Sequence, residues 1–97
     1  MLVGTCLLTF RLPGNDSLKA KRQVSHSVIN KLRQKFNVAA AEVGGIDMHQ
    51  TLVIGLVCVS NNAGHADEML DAAVKYVEHM HVDAELVDVE RDVLDAA

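Results

Sequence analysis

The sequence is poor in the residues that mark several classes of protein. Only 3% of its 97 residues are aromatic, it has no tryptophan, and its longest apolar run, residues 52–59, spans eight positions. A membrane-spanning helix needs about twenty apolar residues, so no segment is predicted to cross a membrane. The first residues also lack the basic leader and small-residue cleavage site of a signal peptide. We therefore expect a cytoplasmic protein.

Residues for metal, cofactor or nucleophilic chemistry are equally sparse. The two cysteines, Cys6 and Cys58, lie far apart in apolar segments, which predicts buried thiols rather than a metal or redox pair. His79 and His81 are two positions apart, without a further ligand at metal-binding spacing. The chain also lacks a P-loop and a Gly-x-Ser-x-Gly motif. We expect no metal, no cofactor and no enzymatic activity.

The charges that are present are unevenly distributed. The formal net charge is −4, but residues 1–36 contain seven Lys/Arg and one acid, whereas residues 37–97 contain two Lys/Arg and twelve acids. With 49% apolar and 23% charged residues, the composition is typical of a globular chain, and 97 residues are enough for one domain. We therefore treat residues 1–97 as a single domain.

The hydrophobic pattern predicts six elements. They are a strand over residues 2–12, a helix over 17–36, strands over 38–43 and 51–59, a helix over 64–79 and a strand over 82–92. The apolar positions of the last strand change phase between Leu86 and Val87, which predicts a β-bulge or a twist there. Six acids lie within residues 83–95, and their expected role is to keep an edge strand soluble and unpaired.

This order of elements is the split β-α-β pattern of ferredoxin-like domains. The predicted fold is therefore α+β, a ferredoxin-like βαββαβ domain with a four-stranded mixed or antiparallel sheet and two helices on one face. We expect the first and third strands at the centre, parallel to each other, and the second and fourth at the edges. Both central strands have apolar residues on both alternate sets. An apolar open face favours a homo-oligomer packed through it.

The helix start carries the most specific motif, Asn-Asp-Ser-Leu-Lys-x-Lys-Arg at residues 15–22. Together with residues 8–12, 32–38, 41–43 and 56–61, it resembles the YlxP-like family of small bacterial proteins. The resemblance implies a ferredoxin-like fold and no established reaction. It also implies genes that often lie near those for transcription elongation, translation initiation and ribosome maturation factors.

The first helix is strongly basic. At 100° per residue, one stripe faces away from the apolar positions and contains Lys19, Arg22, His26, Asn30 and Arg33. No carboxylate lies between Ser17 and Ala41. Lys21 falls close to the apolar stripe and is expected to reach out past the helix start. Cations spaced along one face of a helix can contact the phosphates of a nucleic acid. The candidate nucleic-acid-binding residues are therefore Lys19, Lys21, Arg22, His26, Asn30 and Arg33.

These patterns support three functional hypotheses. The first is a non-enzymatic protein that associates with structured RNA or a ribosomal particle, in translation or ribosome maturation, through the phosphates facing this helix. The second is a structural or regulatory homo-oligomer whose basic face docks an acidic protein, and the same face could instead be solvated or paired with acids of the last strand. A remote third is an acylphosphatase-like hydrolase using Arg11, the loop at residues 13–17, and Asn61 or Asn62.

Overall fold

The computed structural model describes residues 1–96, and its elements follow the predicted order. They are β1 (Leu2–Arg11), α1 (Leu18–Lys35), β2 (Ala39–Gly44), β3 (Thr51–Ser60), α2 (Ala63–Glu78) and β4 (Glu85–Asp95). The last strand lies three residues further along the chain than predicted. It is paired with β1 along its whole length, from Arg11 opposite Glu85 to Leu2 opposite Asp95, so its limits follow those of β1.

The strand order is β2-β3-β1-β4, and all three pairs of neighbours are antiparallel. The predicted positions of central and edge strands are therefore confirmed, but the predicted parallel orientation of β1 and β3 is wrong. A helix crossover makes β1 and β2 parallel and leaves a gap between them. The strand that fills this gap, β3, follows β2 through a short connection and must run opposite to both.

The predicted bulge lies in β4. Thr9 is opposite Asp88 and the next residue, Phe10, is opposite Leu86, so Val87 is the extra residue. This insertion accounts for the change of apolar phase at Leu86 and Val87, because an extra residue reverses which alternate set faces the core.

Both helices cover one face of the sheet, where the even-numbered positions of β1 and β3 meet them. Leu8, Leu52 and Ile54 are fully buried there, together with Val28 of α1 and Leu70 of α2. Each helix begins with a side-chain cap. Ser17 accepts a hydrogen bond from the Ala20 amide at 3.1 Å, and Asn62 accepts one from the His65 amide at 3.0 Å.

Both cysteines lie on this covered face, and their thiols are free and buried. Burial raises the pKa of the Cys6 thiol. The prediction of buried thiols is therefore confirmed.

Among residues 1–96, no helix is long and apolar enough to cross a membrane.

Candidate functional site

The stripe predicted on α1 is exposed as a continuous surface. We call it the basic face, and it consists of Lys19, Arg22, His26, Asn30 and Arg33, all of them exposed. Its first and last members are fourteen residues apart on a regular helix, which corresponds to about 21 Å at the α-helical rise. The helix contains six Lys/Arg and no Asp/Glu. The sequence pattern thus becomes one cationic surface.

The cations of the basic face are not neutralised within the chain. The ion pairs in the described part of the chain are made by the N-terminus, Lys21, Lys75 and Arg91. Pairing with the acids of β4 does not occur within one chain, because α1 packs over β2 and β3 while β4 lies at the opposite edge of the sheet. Lys19, Arg22 and Arg33 are therefore exposed to solvent without a carboxylate partner among residues 1–96.

A groove of about 400 Å³ runs between α1 and β2, beside the basic face. Arg22, His26 and Arg33 line one side, and Ala40, Ala41 and Glu42 of β2 line the other. Glu42 is the one carboxylate in this lining, and its oxygen lies 3.5 Å from the ammonium nitrogen of Lys21. Because this pairing offsets the charge of Glu42, the groove remains electropositive.

Lys21 is not part of the exposed surface, and its assignment as a phosphate-contacting residue is wrong. Its side chain is only 1% exposed. Its Nζ atom donates to backbone carbonyl oxygens of the β2–β3 connection, at 2.6, 3.0 and 2.8 Å from Gly45, Ile46 and Met48, and lies 3.2 Å from that of Thr51, the first residue of β3. The side chain points inward because the connection folds over the first turn of α1 and supplies it with acceptors.

Sequence reasoning missed this buried ammonium, although a signal was present. The buried residues of α1 are Lys21, Ser25, Val28 and Leu32, at spacings of four, three and four. Lys21 is therefore in phase with the centre of the apolar stripe and not at its margin. A lysine at such a position must find acceptors or unfold the turn around it, because an unpaired buried charge is very costly.

Other residues of the motif, and Leu12 just before it, also bond to the β2–β3 connection. The side-chain amide of Asn15 donates to the carbonyl oxygens of His49 at 2.6 Å and Ser17 at 2.9 Å, and the amide of Leu12 donates to Gln50 at 3.0 Å. With the Ser17 cap and Lys21, these bonds fasten the start of α1 to the β2–β3 connection. The motif at residues 15–22 therefore has a structural role at this junction, and of its residues only Lys19 and Arg22 belong to the basic face.

The residues considered for an acylphosphatase-like site are not brought together. Arg11 is opposite Thr51 at one end of the sheet, and Asn61 follows Ser60, which is opposite Leu2 at the other end. These ends are separated by the length of β1, about 30 Å. A groove of about 720 Å³ beside the loop at residues 13–17 has Asp83 and Glu85 in its lining and no Lys or Arg. Its charge does not suit a phosphate.

The opposite edge of the molecule is acidic and internally paired. Arg91 of β4 lies 3.1 Å from Asp67 and 3.3 Å from Asp71 of α2, and Lys75 lies 2.9 Å from Asp71. The hydrogen bond from Lys75 lowers the pKa of Asp71, and the same bond raises the pKa of Lys75. Each cation of this edge is thus held by a carboxylate, in contrast to the basic face.

Comparison with known proteins places the chain in a family. Residues 3–91 match the family model described as "Protein of unknown function (DUF503)". The chain is also 29% identical to the uncharacterised protein YlxP of Bacillus subtilis (strain 168) over 62 residues, which cover 64% of this chain and 67% of the relative. The resemblance to the YlxP-like family inferred from the motif at residues 15–22 is confirmed.

Proposed function

Because this chain belongs to the DUF503 family, whose description gives no function, we propose one from the charges of its first helix. The protein is a non-enzymatic RNA-binding protein that contacts the phosphates of structured RNA, or of a ribosomal particle, through the basic face. The observation that supports this proposal is the set of exposed cations on α1 that have no ion-pair partner among residues 1–96.

Unpaired exposed cations are suited to phosphate for a physical reason. A cation already held by a carboxylate must lose that partner before it binds a phosphate, whereas Lys19, Arg22 and Arg33 need lose only water and counterions. Arg22 and Arg33 offer planar donors that match phosphate oxygens in pairs. Asn30 and His26 lie between them on the same face and add hydrogen-bonding groups.

The aromatic residues do not support base recognition. Phe10 is buried at 2% exposure, and the Phe36 and Tyr76 rings pack edge to face with centroids 5.6 Å apart. Lys35 is drawn to the same cluster, with its Nζ 5.2 Å from the centre of the Tyr76 ring. Stacking of unpaired bases on the sheet, as in RNA-recognition motifs, therefore lacks its aromatic residues. We propose contact with the backbone and shape of the RNA, without sequence selection.

Charge reversal on the basic face is the direct test. The double variant Arg22→Glu, Arg33→Glu is compared with Arg11→Glu, Lys75→Glu, which carries the same net charge but changes exposed cations outside α1. Fluorescence anisotropy with fragments of ribosomal RNA at low salt measures the dissociation constants. The first variant should bind about 100-fold more weakly, since two charge-assisted contacts are lost, and the control should bind within a few-fold of the parent.

Two results would overturn the proposal. One is a parent protein that does not bind RNA at low salt, and the other is equal weakening by both double variants. Circular dichroism on each variant checks that the fold is intact.

The alternative partner is an acidic protein, since the same cations would attract clustered carboxylates. Capture of partners from lysate with and without ribonuclease separates the two. Partners that RNA bridges disappear after ribonuclease treatment, whereas an acidic protein bound directly to the basic face is retained and would favour the alternative.

A further inference from the structure

The face of the sheet opposite the helices is apolar and exposed. Odd-numbered positions of β1 and β3 point to it, together with alternate positions of the two edge strands that pair with them. We call it the open face, and its apolar members are Val3, Leu7, Ala39, Ala41, Val43, Val53, Val57, Val59 and Leu94. On the covered side Leu8 is 0% exposed, but on the open face Leu7 is 41%, Val57 40% and Val59 59% exposed.

The side chains at the centre of the open face form a continuous surface. A Cβ atom at Gly55 would lie 3.1 Å from Cγ1 of Val43 and 3.8 Å from Cδ2 of Leu7. These two side chains from neighbouring strands therefore lean over the glycine from either side and close the gap between them. A larger residue at position 55 would push them apart and raise the surface.

The area of the open face lies at the lower end of the range for stable interfaces. Four strands at the usual spacing are about 19 Å wide and ten residues are about 34 Å long, so the face covers roughly 600 Å² before side-chain relief is counted. A specific dimer buries about 600–1,000 Å² on each partner.

The margins of the open face differ in charge. On β4, Asp88, Glu90 and Asp92 are opposite Thr9, Leu7 and Thr5 and share their face. On β2 the corresponding margin is made by Ala39, Ala41 and Val43, without a charged residue; Val43 is unpaired at a register shift and lies against Gly55. Beside it, Arg33 lines the same groove as Ala39 and Val57. One margin is therefore acidic, and the other is neutral with a cation at its corner.

We propose that a second copy of the chain covers the open face, related to the first by a two-fold axis that runs parallel to the strands. This axis places β4 of each copy over β2 of the other. A two-fold axis across the strands would instead place β4 over β4 and bring the acids of the two copies together, which is unfavourable. The packing is that of two aligned sheets, whose apolar faces close on each other.

The register of the strands places the acidic margin of one copy over the neutral margin of the other in this arrangement. Thr5 is opposite both Val57 and Asp92, and Val57 is opposite Ala39, so these residues form one row across the sheet. A rotation about an axis parallel to the strands keeps each row at its own level. Asp92 of one copy therefore lies over Ala39 of the second copy, where Arg33 lines the adjoining groove. Both helices remain on the outside, so the dimer presents two basic faces.

Molar mass by light scattering tests the proposal without RNA. The parent should have twice the 10.5 kDa of one chain at both low and high salt, because apolar burial is not screened by salt. The variants Leu7→Asp and Val57→Asp should dissociate at least about 100-fold more readily, since each buries an unpaired charge in both copies. Ile46→Asp is the matched control, because Ile46 is 62% exposed but lies in the β2–β3 connection.

A parent of monomeric mass, or a dimer that survives both substitutions on the open face, would overturn the proposal. The substitution Asp92→Lys tests the direction of the axis. It should weaken the dimer about tenfold by placing a cation near the groove that Arg33 lines, whereas a tighter dimer would show that β4 lies over β4. Arg22→Glu should lower RNA affinity and leave the mass unchanged, so the failure of one proposal is distinguished from the failure of the other.

Discussion

The two edges of the molecule differ in the sign of their charge, and they also differ in whether their cations are paired with carboxylates. At the α2–β4 edge, Arg91 and Lys75 are each held within 3.3 Å of a carboxylate. At the α1–β2 edge, Lys19, Arg22 and Arg33 are exposed and unpaired in the described chain, although the protein has more acids than bases. The strand order explains the difference, because β2 and β4 are separated by two central strands. A chain that is acidic as a whole thus offers a cationic surface on one side.

Within the α1–β2 edge, one lysine differs from the others. Lys21 is buried against four carbonyl oxygens and Glu42, whereas Lys19, two residues earlier, is exposed. Burial requires every hydrogen-bonding group to be satisfied, and the β2–β3 connection supplies the acceptors. Neighbouring residues of the same type thus divide into a structural lysine and a surface lysine.

The largest expected effect comes from removing the buried ammonium group of Lys21. Lys21→Met removes the ammonium and leaves Glu42 and the carbonyl oxygens of the connection without their donor, so the free energy of unfolding should fall by about 3–5 kcal/mol. Lys19→Met is the matched control and should change it by less than about 0.5 kcal/mol. Urea denaturation followed by circular dichroism measures both. A loss below about 1 kcal/mol in Lys21→Met would contradict the structural role.

An intermediate effect concerns the unpaired cations. If three permanent cations of the basic face each contact a phosphate, the RNA association constant should fall as the salt concentration rises. A plot of the logarithm of this constant against the logarithm of the salt concentration should have a slope of about −2 to −3. Binding should then weaken about 16- to 64-fold for a fourfold increase in salt. The slope should fall to about −1 in Arg22→Glu, Arg33→Glu, because only Lys19 is left to contact a phosphate, and titrations at several salt concentrations measure it. A salt-independent constant in the parent would count against phosphate contact.

The smallest effect concerns the ion pair between Asp71 and Lys75 at the α2–β4 edge. The pKa of Asp71 is lowered by its bond to Lys75, so the stabilisation from this pair is present above the ordinary value of 3.8 and is lost as the pH falls through the lowered pKa. Carbon NMR of the Asp71 carboxyl group should show its midpoint rising toward 3.8 in Lys75→Met. Asp67 in the same spectra serves as an internal control. An unchanged Asp71 midpoint would show that the pair is not formed in solution.

Most of the fold follows from local patterns. The helices and strands, the caps at Ser17 and Asn62 and the bulge at Val87 are each encoded in short stretches of sequence, because they depend on periodicity and on the next few residues. The basic face also follows, since positions three and four apart on a helix share one side. The relative direction of β1 and β3 was wrongly predicted, although the order of elements contains it.

The site was predictable only in part, as Lys21 illustrates. Whether a lysine beside an apolar stripe reaches solvent or is buried depends on the segment that folds over it, and the acceptors come from residues 24 to 30 positions further along the chain. Lys19, Arg22 and Arg33 were assigned correctly to an exposed surface because that surface needs only the helix itself. Their lack of partners was not predictable, since pairing with β4 depends on the distance between the two edges.

The amino-acid order alone therefore determined the element types, the position of the cations on one helix face and the apolar character of both sides of the central strands. These properties are local, because they depend on backbone periodicity and on residue type. Tertiary structure decided which lysine is buried, which charges meet and which face of the sheet is left uncovered. Those properties depend on contacts between residues far apart in the chain, and only packing of the helices on one side of the sheet brings such residues together.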